Sequence, residues 1–495
     1  MTEIIKKEVV LVLSVLLLIA LGLRVYDLAA EGLWNDEAFS VHHAAEVSTT
    51  LVMQNVAETE AAPFGYYVLL HYFGWIFGYG DFSMRFLSVI FSVLSILILY
   101  LIGTRLRLSI PETLLACALM ATSMLQVLYA QEVRLYSLFT FLIMLCVYFV
   151  ILAWQENKAW YYCWYGFFLL LAVYVNYLTI LLVILFSLVL LFFYKKNRSL
   201  VTRLLFVHVL VGLLSLPLIP MLRQQFSHLN DGLAQALVLR HLPPFLAQLG
   251  LFFYVIPVLL LFSFSSLIVI LMSRGKKVLF KETQLSDRII FLGLFFVGVF
   301  YLYLCVRPLH LLGLSIIRNP ITHSYFLIRH SFFLAPLLYF LFARLIFLMR
   351  SKQWKVFAIL WLLLVNVIAL GIYYHEPTRP QWKEATQLIA SSSQEQPPLI
   401  LLDSAGISNT FLLNRYYPGN FRLVKLTWDE QWDKIPIEEL VKKVQGEKDF
   451  WLILSKATVT KEYYKEVLDA RYERISSDEF LSIAVHHYSS VTRKN

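Results

Sequence analysis

The chain has 495 residues, 59% of them hydrophobic and only 15% charged, where soluble domains carry about 25%. That balance excludes an ordinary soluble enzyme and describes a polytopic α-helical membrane protein. The net charge of +9 is no sign of nucleic-acid binding, because the basic residues sit in short loops between apolar runs, so nucleic acid is not an expected partner and membrane lipid is.

About eleven stretches are long and apolar enough to cross a hydrocarbon core of about 30 Å. They fall near 8–26, 84–103, 111–129, 133–153, 160–176, 178–194, 204–222, 245–272, 288–306, 326–348 and 355–374. The division of 160–194 near Asn176-Tyr177 is the least marked. The first run is too long for the apolar part of a cleaved leader and lacks a small-x-small cleavage site, so it reads as a retained span. Loops on one side hold Lys6 and Lys7, Arg105 and Arg107, Lys158, Lys195 and Lys196, a basic cluster at 274–288, and Arg350, Lys352 and Lys355. The alternate loops hold few: Arg134, Arg223, Arg240, Arg307, Arg318 and Arg329. The alternation predicts a cytoplasmic N-terminus and an extracytoplasmic C-terminal tail, in the plasma (inner) membrane. Topology does not account for the few outer arginines.

The first outer loop is the most informative. From Asp27 to Met84 it has no Lys or Arg but eight carboxylates, including the adjacent pair in Leu33-Trp34-Asn35-Asp36-Glu37-Ala38-Phe39. Flanking Trp34 and Phe39 argue that Asp36-Glu37 is partly buried near the lipid surface. A carboxylate in that place is suited to taking a proton. His42 and His43 read as polar-face residues of a surface helix. Further along, Glu132 and Arg134 lie in the tight outer turn between the third and fourth spans, Arg85 at the outer start of the second, and Arg329-His330 at the outer start of the tenth. These candidates map to one membrane face. An arginine at a span end also serves as an interfacial anchor. A Glu and an Arg in so short a turn also serve as an ion pair locking two helices.

Inside the spans His208 is the ionisable residue that stands out, and no repeated broken-helix pattern is visible. Cys117, Cys146, Cys163 and Cys305 all lie in apolar spans and suggest neither a disulfide framework nor a zinc site. After Tyr374 the composition changes. Residues 375–495 read as a small soluble α/β domain following a membrane domain of residues 1–374, in which 27–83 form the outer loop with surface helices. Helices are predicted at Gln381–Ser393, Ile437–Val444 and Glu462–Leu468, and strands at Leu399–Asp403, Trp451–Leu454 and Phe480–Tyr488. No Gly-rich phosphate loop and no nucleophile elbow is present.

Taken in order, several segments resemble the GT-C glycosyltransferases, in particular the protein-mannosyltransferase and aminoarabinose-transferase-like group. They are Trp34-Asn35-Asp36-Glu37-Ala38, Pro63-Phe64-Gly65-Tyr66-Tyr67 through His71, Phe82-Ser83-Met84-Arg85-Phe86, Tyr129-Ala130-Gln131-Glu132-Val133-Arg134-Leu135-Tyr136, Leu216-Pro217, Arg329-His330-Ser331-Phe332 and Trp382-Lys383-Glu384-Ala385. The chain departs from many relatives in having Ala61-Ala62-Pro63 where they carry a His-Pro-Pro-like segment. The resemblance implies a GT-C fold and a polyprenyl phosphate sugar donor. It implies transfer with inversion to a lipid, glycan or protein acceptor on the outer face. In that setting Asp36 is the expected base with Glu37 beside it, and Arg134, Arg329 and Arg85 are the expected ligands of the donor phosphate. Glu132 and His71 are the supporting or metal-linked residues. No cofactor is demanded, although a divalent metal could take the phosphate role in place of the arginines. The alternative is a transporter or flippase for a lipid-linked substrate.

Overall fold

A computed structural model describes residues 2–192, 194–195, 198–225, 332–392, 397–403, 407–428, 433–434, 436–455 and 461–492. Among these, residues 2–26, 43–225 and 332–372 form one unit, and residues 27–42 and 373–492 form another.

The first unit is helical. Its helices are α1 (Thr2–Val25), the end of α2 (Asn35–Ala44), α3 (Thr49–Thr59), α4 (Gly65–Phe77), α5 (Asp81–Arg105), α6 (Ile110–Thr122) and α7 (Met124–Ala130). Then come α8 (Tyr136–Glu156), α9 (Ala159–Val175), α10 (Leu178–Phe192), α11 (Arg198–Leu214), α12 (Ala335–Leu348) and α13 (Lys352–His375). Among the described residues five helices are long and apolar enough to cross a membrane: Lys7–Val25, Asp81–Arg105, Tyr136–Glu156, Arg198–Gln225 and Lys352–His375. The expected spans at 245–272 and 288–306 lie outside the described residues, so the count of eleven does too.

Polar residues punctuate the apolar runs. Asn176 ends α9 in extended backbone, and its side-chain carbonyl accepts the Leu178 N–H at 3.0 Å, starting α10 as an N-cap does. That single amide makes the division the sequence barely marks. Asn157 closes α8 in the left-handed region, φ 51°. Ser109 precedes α6 in extended backbone, and its hydroxyl donates to the Glu112 carboxylate at 3.4 Å. Helix α4 has 13 residues, too short to cross a bilayer. Its first glycine, Gly65, sits so close to the Tyr174 carbonyl in the last turn of α9 that a Cβ would be 2.5 Å from the oxygen. Its Gly74 sits against Tyr79 and against Met84 of the first turn of α5. Both ends of α4 therefore meet the same end of the helical unit.

The third expected span is broken. Helices α6 and α7 meet at a 54° bend, with Ser123 in extended backbone between them. A break among apolar helices frees carbonyls that need donors. Arg24, fully buried in the last turn of α1, supplies them: Nη1 donates to the Ala121 carbonyl at 2.9 Å and Nη2 to that of Met120 at 3.2 Å. Tyr339 Oη donates to Ser123 Oγ at 2.8 Å, and Asn366 Nδ2 to Thr122 Oγ1 at 3.2 Å. Within the spans, His208 alone stands out in the sequence. His208 is held between Tyr165 Oη and Ser187 Oγ, both at 2.7 Å, and Arg24, Arg85 and Glu112 are buried ionisable side chains as well.

The second unit is an α/β sandwich. Its strands are β1 (Leu399–Leu402), β2 (Arg422–Lys425), β3 (Thr427–Trp428), β4 (Asp433–Lys434), β5 (Asp449–Ser455), β6 (Tyr472–Phe480) and β7 (Ile483–Thr492). Its helices are α14 (Trp382–Ser392), α15 (Ile407–Tyr416), α16 (Ile437–Val444) and α17 (Lys461–Asp469). The main sheet runs β2-β1-β5-β7-β6, with β1 parallel to β2 and β5, and β7 antiparallel to β5 and β6. Strands β1 and β5 are buried along nearly their whole length, as central strands covered on both faces must be. On one face Phe450, Leu452 and Leu454 pack with Leu440, Val444, Tyr464 and Leu468 of α16 and α17.

Residues 27–42 belong to this unit. The Glu31 carboxylate accepts the Thr378 N–H at 2.6 Å and its hydroxyl at 2.8 Å. Leu33 N–H donates to Tyr416 Oη at 2.6 Å, and Lys383 Nζ to the Ala29 and Ala30 carbonyls at 3.4 and 3.3 Å. These bonds join segments that the sequence separates by hundreds of residues.

His486 on β7 is buried, with Nδ1 2.9 Å from Ser477 Oγ. Burial, aided by the Lys465 and Arg474 charges, pushes its pKa down from 6.5 to about 4. The unfolded chain therefore binds this proton first as pH falls. The contribution of His486 to stability is expected to be whole above about pH 6.5 and to fall by about 1.4 kcal/mol per pH unit toward pH 4. His486→Gln is expected to flatten that decline in unfolding curves of the full protein taken between pH 7 and pH 4.5.

Candidate functional site

In the second unit, Trp34 precedes α2 and accepts the first helical hydrogen bond from Ala38 N–H at 2.8 Å. Asp36 and Glu37 therefore fall in the first turn, where the helix dipole favours negative charge. The two carboxylates are treated differently. Glu37 is fully buried; its Oε2 accepts the Trp34 N–H at 3.3 Å and lies 3.8 Å from Arg379 Nε. Arg379, itself 7% exposed in its side chain, also reaches Glu31 at 3.5 Å. A buried carboxylate needs such a partner. Asp36 is only half-buried. In the sequence Arg379 follows the apolar spans in Glu376-Pro377-Thr378-Arg379 and looks like a linker charge, with no local signal of this role.

In the first unit, the turn after α7 carries Gln131, Glu132 and Arg134, all of them buried or nearly so. The Arg134 guanidinium is gripped two-pronged by Glu60, Nη1 to Oε1 at 3.0 Å and Nη2 to Oε2 at 3.3 Å. Glu132 is the expected partner in the sequence; the structure adds a grip from Glu60, 74 residues earlier. Tyr67 is buried beside this pair, and its hydroxyl pKa is pushed well above 10 by burial, partly offset by the Arg134 charge and reinforced by Glu60. Gln225 braces the Glu60 segment on both sides. Its Nε2 donates to the Val56 carbonyl at 3.1 Å and the Ala62 carbonyl at 3.0 Å, while its Oε1 accepts from Tyr177 Oη at 2.9 Å. Nothing in the sequence around Gln225 signals this.

Arg85 is fully buried in α5, within its second turn. His71 on α4 has Nδ1 2.8 Å from the Ala44 carbonyl. A carbonyl can only accept, so Nδ1 is the donor in this bond. Arg329 lies outside the described residues. A metal would need several converging ligands, and among the described residues no three His, Cys, Asp or Glu side chains are so placed.

Residues 60–222 match the family model described as dolichyl-phosphate-mannose-protein mannosyltransferase. The matched segment contains Glu60, His71, Arg85, Glu132 and Arg134. No curated protein matches the chain. Among solved structures, ArnT from Cupriavidus metallidurans in the apo state aligns with a TM-score of 0.52 at 13% identity, covering 98% of each chain. The chain has the GT-C fold.

Two other GT-C structures align more loosely. ArnT from Cupriavidus metallidurans bound to undecaprenyl phosphate gives a TM-score of 0.49 at 13% identity, over 96% of this chain and 97% of that one. The oligosaccharyltransferase AglB from Archaeoglobus fulgidus, in complex with an inhibitory peptide and a dolichol-phosphate, gives 0.47 at 12% identity, over 95% and 73%.

Proposed function

We propose that this protein is a membrane glycosyltransferase that moves a sugar from a polyprenyl phosphate carrier to a hydroxyl acceptor on the extracytoplasmic face, with inversion. The observation that carries the reading is the unequal carboxylate pair that opens α2 in a chain with the GT-C fold: Glu37 is buried and paired with Arg379, Asp36 is half-buried. The matching family model is named for a dolichyl-phosphate-linked sugar, and ArnT has been solved with undecaprenyl phosphate, which supports a lipid-linked donor.

Asp36 takes the proton of the acceptor hydroxyl as that oxygen attacks the anomeric carbon. The bond from that carbon to the carrier phosphate breaks on the opposite side, and the phosphate leaves with the electron pair. An uncompensated phosphate is a poor leaving group unless fixed cations hold it. Arg85, Arg134 and Arg329 are the proposed cations, and Glu132 supports the turn that carries Arg134. Glu37, tied to Trp34 N–H and Arg379, fixes the first turn of α2 and so the direction of Asp36.

The transporter alternative asks for broken helices in paired positions and ionisable groups lining a path. One bent pair occurs among the described residues, and Arg24 donates to the carbonyls at that break, which closes the break rather than lining a path. Deletion of the gene is expected to accumulate a polyprenyl phosphate sugar, identified by mass spectrometry of lipid extracts. Unchanged lipid-linked sugars would overturn the reading. A reporter fused after Asn495 that works only in the cytoplasm would overturn the proposed orientation.

A further inference from the structure

We propose that Arg24 is a positioning residue of the transferase: it holds the last carbonyls of α6, just before the seven-residue helix α7, while Gln131 ties the far end of α7 back to Arg24, and together they set the Glu132–Arg134 turn. The inference rests on the functional reading above for the role of that turn, and on geometry alone for the clasp.

A fully buried arginine among apolar helices is costly and rarely placed there without a use. Arg24 commits its guanidinium to four acceptors: Nε to Ser92 Oγ at 2.8 Å, Nη1 to Ala20 O at 3.0 Å and Ala121 O at 2.9 Å, and Nη2 to Met120 O at 3.2 Å. Two of these are the carbonyls freed where α6 ends. The far end of α7 is tied to the same residue from the other direction. Gln131, 3% exposed, follows α7 directly, and its Nε2 donates to the carbonyl of Arg24 at 3.0 Å and that of Tyr26 at 2.7 Å.

Arg24 thus acts as donor through its side chain and acceptor through its backbone, and α7 is spanned by the two. The residue after Gln131 is Glu132, and Arg134 is two further on. A shift of α7 relative to α1 is therefore a shift of the proposed phosphate-binding turn. Lysine can offer three donors from one atom but cannot span Ser92, Ala20, Met120 and Ala121 as a planar fork does.

The test uses full-length protein in nanodiscs, hydrogen exchange of residues 123–134, and binding of undecaprenyl phosphate as the probe. Arg24→Gln and Gln131→Leu are expected to speed exchange in 123–134 while leaving Leu142–Leu145 in the middle of α8 unchanged. Both are expected to weaken the probe by roughly two- to thirtyfold per folded molecule, the range for residues that act through packed neighbours. Arg24→Lys should fall between wild type and Arg24→Gln. A merely structural role would lower folded yield and spread exchange over the whole bundle, with probe affinity of the folded fraction unchanged; that result overturns the proposal. Wild-type exchange in both Arg24→Gln and Gln131→Leu also overturns it. If the wild-type protein itself fails to bind the probe, the functional reading falls, and the exchange pattern alone upholds or overturns the clasp.

Discussion

Asp36→Asn is expected to abolish most transfer, lowering turnover by roughly two to four orders of magnitude, the range for loss of a general base. The amide keeps the size of the carboxylate and cannot accept a proton at neutral pH. Asp36 is only half-buried, so near-normal folding is expected. Glu37→Gln should behave in the opposite way. Glu37 is fully buried with Arg379 Nε at 3.8 Å, and its loss leaves Arg379 short of a counter-charge, so its main effect should be on stability with a smaller effect on turnover. The measurement is turnover per folded molecule with the lipid-linked sugar that accumulates on deletion. Wild-type turnover by Asp36→Asn would remove Asp36 as the base.

What the sequence allowed to be read, and what it hid, divides along one physical line. Features carried by local pattern were legible. The Leu399–Leu402 and Asp449–Ser455 strands are apolar because both their faces are covered, and Ile437–Val444 is a helix with the same bounds in sequence and structure. The strand Tyr472–Phe480 was missed because it lies at the sheet edge with most residues exposed, leaving a polar sequence that reads as loop. Helix Ile407–Tyr416 was missed for its weak apolar spacing. Partners distant in sequence were illegible. Arg134 reads as the neighbour of Glu132, and the fold adds the grip of Glu60; Arg24 carries no signal within its apolar run, and it is buried at a helix break. In both cases the residue type was visible and its acceptor was not, because only the fold brings the acceptor near.

That hidden pair sets the second large effect. Arg134 and Glu60 are 11% and 9% exposed in their side chains and meet through two hydrogen bonds. Removing one member of a buried pair strands the other charge and costs about 3–5 kcal/mol. Glu60→Gln is therefore expected to destabilise the folded protein by about that much, read as a lowered unfolding midpoint in detergent. The double variant Glu60→Gln with Arg134→Gln should lose less than the sum of the two single variants, since no charge is stranded. Arg134→Lys separates this structural role from the proposed ligand role. Lysine keeps the charge beside Glu60 but loses the fork that fits a phosphate. If Arg134 also holds the carrier phosphate, Arg134→Lys should bind undecaprenyl phosphate more weakly while retaining most of its stability. Wild-type binding in that variant would confine Arg134 to its pair with Glu60 and leave Arg85 and Arg329 as the proposed phosphate ligands.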